Sequence, residues 1–511
     1  MSTKLLRWLF CLTVLAFALY HFAENTVDPD LWGHVLFGQR MIAHRAVEHV
    51  EPLSWTARGQ PWINHEVLAE IALATAYRLG GGSGLLVLKM LVGLLTFVIA
   101  LRLGAHGLAW PARATAWAIG LVAVVEIAFG FAARPQIFTA LALAILLWIL
   151  HELDTGRRRW LAAIPLLFAV WINTHGGALA GFLVLVVAAG AATVECLAFR
   201  RPARTAILLW SSSVLALAAM AVNPWGFALI GWLGRSVLWM RPEIQEWNAT
   251  AFDWDHLPTF LLLAIAVWSF VFSRQPRRPW AIAVLGLLAA MALRHVRHAP
   301  LFAIGVLVLT PRHAADSLSR IAATTPELAR LAADRVVQRI AAFGLTVASA
   351  LVVIATFTLH KEHPLTMEVP AAEYPVAAVD FIRQHHIHGN AIIFFDWGEM
   401  ALWKLPDCPP SVDGRLDTCY PRAVLTANWD LYNGKAPDPA ALDVGRADFA
   451  LLPRTLAGVG LLRKSAGWSL AYEDALAAVL VRDASRFPGL RGLTLPVMGG
   501  KSCAVGRFPF P

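Results

Sequence analysis

Val27-Asp28-Pro29-Asp30-Leu31-Trp32-Gly33-His34 sets two carboxylates one proline apart, just beyond the first long apolar segment of the chain. Ionisable groups are excluded from a bilayer core, so an acidic pair at the point where a chain leaves it faces water and whatever substrate lies there. The stretch is therefore a candidate active site. An ordinary duty competes with that reading: Asp28 or Asp30 could cap a helix starting near Leu31, because Asp accepts from the amides of a first helical turn.

Composition supports a membrane setting for this pair. Of 511 residues, 58% are hydrophobic and only 15% charged, with 21 Trp. Such a balance excludes a soluble globular chain and specifies a polytopic membrane protein. The segment before the pair, Leu5 to Phe22, follows Lys4 and Arg7 and so has the start of a signal peptide. No small-residue cleavage site follows it, and a retained helix is expected. By the rule that roughly 20 apolar residues cross a bilayer, the chain carries about eleven spans. After the first come Leu85 to Leu103, Ala112 to Phe131, Gln136 to His151, Trp160 to Ile172, Ala178 to Phe199 and Thr205 to Val222. Leu257 to Phe272, Pro279 to Leu293, His298 to Thr310 and Ala341 to Leu359 follow.

Basic residues in short loops collect on the cytoplasmic side. With the N-terminus inside, the inner loops carry Arg157-Arg158-Arg159, Arg200-Arg201 with Arg204, and Arg274 with Arg277-Arg278. The segment 312–340 also falls inside, with an amphipathic helix expected near Thr325 to Ile340. Topology thus accounts for most of the net charge of +9, and nucleic acid is not needed as a partner. The same assignment turns the chemically capable loops outward. They hold Asp28 and Asp30, Asn64-His65-Glu66, Arg134-Pro135-Gln136, Asn173-Thr174-His175-Gly176-Gly177, Asn223-Pro224-Trp225-Gly226, Gln245-Glu246-Trp247-Asn248 and Arg294-His295-Val296-Arg297-His298.

The first outer loop, residues 23–82, belongs with the transmembrane domain 1–359 in this reading. Apolar residues recur at helical spacing from Leu31 to His44 and from Val67 to Leu79, which predicts two helices lying along the membrane surface. The link from His49 to Pro61 is rich in turn residues.

The stretches DPDLWGHVLFGQRM, PWINHEVLAEI, AARPQIF, NTHGG, NPWG and RHVRHAPLFAI, with an acidic pair after the first span and two interfacial helices, resemble the GT-C superfamily of integral membrane glycosyltransferases. The closer similarity is to a bacterial branch related to protein mannosyltransferases and aminoarabinose transferases. The resemblance implies a GT-C-like helical bundle at the bacterial cytoplasmic (inner) membrane. It implies transfer of a sugar from a polyprenyl-phosphate donor in the bilayer to a glycan, lipid or protein acceptor at the outer face.

Such chemistry needs a carboxylate to deprotonate the acceptor hydroxyl and cations to stabilise the departing phosphate. Asp30, or Asp28, suits the first role. Arg134, Arg294 and Arg297 suit the second, because guanidinium binds phosphate oxygens through paired hydrogen bonds; an arginine at a span end can equally snorkel to the interface. His34, four residues after Asp30, shares its helix face. His65, Glu66, Gln136 and Asn173 complete the candidate substrate-binding set, with His175, whose glycine-flanked position fits either a pocket or a tight turn. Some relatives use a divalent metal near the acidic pair, but no HExxH or paired-Cys spacing marks a dedicated metal site here. Glu126, inside a span, costs about 2.5 to 3.5 kcal/mol if ionised there, so it faces the bundle or a wet cavity.

Beyond the last span, residues 360–511 are expected to form an extracytoplasmic α/β domain. A helical run, Ala371 to Gln384, precedes strand-like runs at Ala391 to Phe395, Phe449 to Leu452 and Ala477 to Val481. No glycine-rich phosphate loop is present. Phe394 to Gly398 and Val412 to Asp417 match motifs of the same branch, and the Asp413-Gly414 step of the second also fits a turn. Cys408 and Cys419 lie close enough in sequence that a disulfide is open. A noncatalytic scaffold of GT-C type and a lipid-linked glycan transporter remain as alternative functions; neither an internal repeat nor paired broken spans favours transport.

Overall fold

The computed structural model describes residues 3–238, 244–325, 327, 334–359, 361–500 and 505–511. The chain divides into two compact units, one of Met1–Glu24 and Val87–Leu359, the other of Asn25–Leu86 and His360–Pro511.

Its helices, in chain order, begin with α1 (Thr3–Phe22), α2 (Leu31–His44), α3 (Val67–Gly104), α4 (Ala112–Ala128), α5 (Gln136–Asp154), α6 (Ile164–Ile172) and α7 (Ala178–Phe199). Then come α8 (Arg204–Ala219), α9 (Phe227–Leu238), α10 (Leu257–Phe272), α11 (Pro279–Arg294), α12 (Ala299–Leu309), α13 (Pro311–Thr324) and α14 (Arg335–Thr358). Each expected span coincides with a helix, because apolar composition and helical propensity act along the same local stretch. Among the described residues, α1, α3, α5, α7 and α14 are long and apolar enough to cross a membrane by themselves. Val296–Leu309 and Pro311–Thr324 form a further, bent pair, at 58°. The helices α9 and α13 were not foreseen, and of the amphipathic helix expected near Thr325 to Ile340, residues 326 and 328–333 lie outside the described residues while Arg335 to Ile340 begin α14.

Within the helical unit, α1 packs on α14, where the hydroxyls of Thr13 and Ser349 are 2.9 Å apart. Around them α4 meets α1, α12 and α13, and α11 bridges α7 and α12. Gly93 and Gly181 admit Phe22 and Trp171, whose rings stand where a Cβ would be. The core is thus apolar packing with small residues at close crossings.

The second unit holds residues 25–86 together with residues 360–511. Helix α2 has the predicted bounds, and most of its residues are buried. The second expected helix continues into the next apolar stretch as α3, but Gly80 (φ −152°, ψ 20°) and Gly81 (φ 55°, ψ −142°) break it. The left-handed φ at Gly81 suits a residue without a Cβ. The C-terminal residues form β1 (Glu368–Pro370), β2 (Ala391–Ile393), β3 (Phe449–Pro453), β4 (Trp468–Glu473), β5 (Ala477–Arg482), β6 (Val497–Met498) and β7 (Arg507–Pro509). Their helices are α15 (Val376–Gln384), α16 (Gly398–Lys404), α17 (Arg422–Tyr432) and α18 (Ala457–Lys464). One sheet runs β2-β3-β5-β4-β6, parallel at β2/β3 and β4/β6 and antiparallel between; β1 and β7 pair separately. The central strands β3 and β5 are buried on nearly every residue, which explains their continuous apolar runs. Cys408 and Cys419 are both buried free thiols, and burial pushes Cys408 up to about 12.

Candidate active site

Asp30 occupies the N-cap position of α2 but makes no capping hydrogen bond with its side chain. Asp28 does the local work instead, its Oδ1 accepting from the Asp30 N–H at 3.0 Å, the turn for which Asp is suited. The two carboxylates, indistinguishable by spacing, are thereby separated: one holds the turn and the other is left out of it.

The cap comes from elsewhere. Glu399 Oε2, on α16, accepts from the Gly33 N–H at 3.0 Å, in the first turn of α2. A Cβ on Gly33 would stand 2.3 Å from the Glu399 carboxyl carbon, so only glycine allows this approach. A Cβ on Gly414 would lie 2.4 Å from Asp30 Oδ1 and 2.8 Å from Glu399 Oε1, so both carboxyl oxygens crowd the same bare backbone. Burial, with Asp30 and Asp413 nearby, pushes Glu399 well above the usual carboxylate range; Arg415 and the Gly33 amide oppose this without cancelling it.

Behind Gly414 stands a buried ion-pair network. Arg415 Nε and Nη2 bond the two oxygens of Asp413 at 2.8 and 2.7 Å, and its Nη1 bonds Glu51 of the first loop. Tyr420 donates its hydroxyl to Asp413 at 2.7 Å. The guanidinium centre lies 4.7 Å from the Trp62 ring and 5.1 Å from Phe37. The Asp-Gly-Arg motif is thus a turn, as its dipeptide suggested, whose charges brace the loop from His49 to Pro61.

One turn further along α2, His34 Nδ1 sits 3.3 Å from Glu70 Oε1 and 3.8 Å from Glu66 Oε2. Asn64 donates to the second oxygen of Glu70 at 2.6 Å, and His65 Nε2 stands 3.7 Å from Glu66. Burial works against a charge on His34, but the bond to Glu70 and the charges of Glu66, Glu70 and Asp30 outweigh it and raise its pKa. One ligand atom from each of His34, Glu66 and Glu70 falls within 4.8 Å of the others, a set suited to a divalent cation. Motif spacing missed this set because its members are far apart in sequence, His34 on α2, Glu66 just before α3 and Glu70 on its first turn. The i, i+4 pair Glu66/Glu70 was the available signal.

The other candidates belong to the helical unit. Arg134 pairs with Glu246 at 3.3 Å, and Arg297 stacks over Trp247 at 4.5 Å. Arg294 ends α11. Gln136 donates to the Gly130 carbonyl at 2.8 Å. Asn173 donates to the carbonyls of Ala169 and Val222 at 2.8 and 2.7 Å, tying two helix ends together. His175 Nδ1 accepts from the Gly177 N–H at 3.0 Å and lies 2.9 Å from Thr139 Oγ1, the geometry of a tight turn. Glu126 is buried. Asp30, His34, His65 and Glu66 therefore gather in one unit, while Arg134, Gln136, Asn173, His175, Arg294 and Arg297 lie in the other. Glu399 and Glu70 are the site residues that sequence reading did not single out.

Comparison with solved structures gives the particular likenesses. ArnT from Cupriavidus metallidurans in the apo state is matched with a TM-score of 0.57 at 15% identity, over 95% of this chain and 99% of that one. The Archaeoglobus fulgidus oligosaccharyltransferase tethered to an acceptor peptide gives 0.54 at 11% identity, over 87% of this chain and 69% of that one. The same archaeal enzyme, AglB, in complex with an inhibitory peptide and a dolichol-phosphate gives 0.51 at 12% identity over the same shares. No family model and no curated protein matches the sequence. At these identities the likeness establishes the fold alone, the one that this chain shares with ArnT and the archaeal oligosaccharyltransferase.

Proposed function

We propose that the chain is a GT-C-type glycosyltransferase that moves a sugar from a polyprenyl-phosphate donor to an acceptor hydroxyl at the outer face of the bacterial cytoplasmic membrane. The observation that carries this reading is the Asp30 carboxylate, set at a helix N-cap yet relieved of capping by Asp28 and Glu399. Asp30 takes the proton of the acceptor hydroxyl as its oxygen bonds the anomeric carbon. The bond from that carbon to the phosphate oxygen breaks, and polyprenyl phosphate leaves with the electron pair, with inversion at the sugar. Arg134, Arg294 and Arg297 are assigned to the phosphate on the strength of their outward loops and paired donors. The dolichol-phosphate bound to AglB supports a lipid-linked donor. About eleven spans, a cytoplasmic N-terminus and an extracytoplasmic C-terminal domain complete the proposed topology.

A divalent cation fits the donor set of His34, Glu66 and Glu70, two carboxylates and an imidazole within ligand distance of one another. Bound there, it would supply positive charge to an anionic substrate group. The test is sugar transfer in membranes from polyprenyl-phosphate donors. Activity abolished by Asp30→Asn at normal expression supports the reading. Activity surviving both Asp28→Asn and Asp30→Asn rejects it, and absence of wild-type transfer from every donor favours the noncatalytic scaffold.

A further inference from the structure

We propose that Glu399, supplied by the C-terminal α/β residues, is the positioning residue of the catalytic corner: one carboxyl oxygen anchors the first turn of α2 at Gly33, while the other faces the Asp30 carboxylate over Gly414. The inference rests on Asp30 acting as the base.

Its geometry has three independent parts. Glu399 accepts from Gly33 at 3.0 Å and so takes over the cap that Asp30, at the capping position, does not make. Glycine at 33 and at 414 is what lets the two chain segments close on the carboxyl group, since a Cβ at either would overlap it. Glu399 is also 3% exposed, beside two other acids, Asp30 and Asp413, with Arg415 as an opposing charge. Arg415 is committed to Asp413 and Glu51 by short contacts.

Two acids this close cannot both ionise without cost, and Glu399, the more deeply buried, keeps the proton. A protonated Glu399 donates toward Asp30 and keeps accepting from Gly33 with the other oxygen. Asp30 then stays ionised, held in one rotamer, and ready to take a proton from a hydroxyl. The C-terminal residues thus complete the catalytic corner.

Two arms test this. In the kinetic arm, Glu399→Gln keeps a donor and an acceptor and is expected to rescue most of the transfer lost in Glu399→Ala, while removing the alkaline fall that loss of the Glu399 proton is expected to give wild type. Glu399→Ala is expected to lower kcat by about 10²-fold, the scale of a misplaced catalytic group, with donor KM little changed. Gly414→Ala, which drives a methyl between the two carboxyls, is expected to do the same. Wild-type kcat and pH profile in Glu399→Ala would overturn the proposal. The spectroscopic arm needs no turnover. The infrared band of a protonated carboxyl at neutral pH should vanish in Glu399→Gln and shift in Asp30→Asn. A band unchanged in both overturns the proposal even for a protein with no transferase activity. A band behaving as expected without sugar transfer leaves the carboxyl pair standing and rejects only the enzymatic reading.

Discussion

Glu399 accepts a hydrogen bond from the backbone amide of Gly33 at 3.0 Å across 366 positions of sequence. A helix that begins beside two aspartates is therefore capped by a glutamate from the far end of the chain, and α2 and α16 depend on each other. Gly33→Ala should expose that dependence. Helix propensity alone favours alanine by up to about 1 kcal/mol. The new methyl, however, would meet the Glu399 carboxyl at 2.3 Å, and such overpacking costs about 1 to 3 kcal/mol. The expected outcome is net destabilisation in thermal unfolding of the purified protein. Stabilisation would mean that the carboxyl yields freely.

Stability should also depend on pH through Glu399. Its folded-state pKa is raised well above the ordinary value, chiefly by burial and then by Asp30 and Asp413. A raised pKa means that the native state binds the proton more tightly than the unfolded state. The contribution is complete below the unfolded value of about 4.3 and is lost as pH rises through the native one. Glu399→Gln cannot ionise, so its unfolding temperature should decline less than that of wild type over the same rise in pH. Parallel curves for the two proteins in detergent would contradict this.

Arg415 offers a sharper structural test. It is buried with Asp413 and Glu51, and removing one member of a buried ion pair costs about 3 to 5 kcal/mol because the remaining charges lose their partner. Arg415→Met is expected to lower the denaturation midpoint by that order. Arg415→Lys should recover little of it, since an ammonium cannot reproduce the two-pronged contact with Asp413.

The group of His34, Glu66 and Glu70 can be probed with metal alone. Titration of purified, metal-stripped protein with zinc or manganese, followed by calorimetry, should show a site whose affinity falls when Glu70 is replaced by Gln or His34 by Ala. Binding should weaken at acidic pH, because the imidazole must be neutral to ligate and its neighbouring carboxylates favour its protonation. Equal affinity in wild type and both variants would place any bound metal elsewhere.

Much of the fold was legible because its signals are local. Apolar runs located most helices of the helical unit, though not α9 or α13, and the spacing from Leu31 to His44 gave the bounds of α2. The strands β2, β3 and β5 were readable from their apolar runs, whereas β4, β6 and the β1/β7 pair were not, being short or mixed in pattern. Val412 to Asp417 was visible as a motif and correctly suggested a turn. Nothing local indicated that Arg415 would reach Glu51.

The candidate site divides along the same line. Composition and periodicity alone determined a chain of long apolar helices with an acidic pair at the start of α2, because hydrophobic burial and helix formation act over contiguous residues. Only the tertiary structure decided which aspartate makes the turn, that Glu399 caps α2 beside Asp30, and that Glu70 joins His34. A hydrogen bond between residues brought together by folding has no period and no fixed spacing. Asp28 and Asp30 could be told apart only once their distant neighbours were in place.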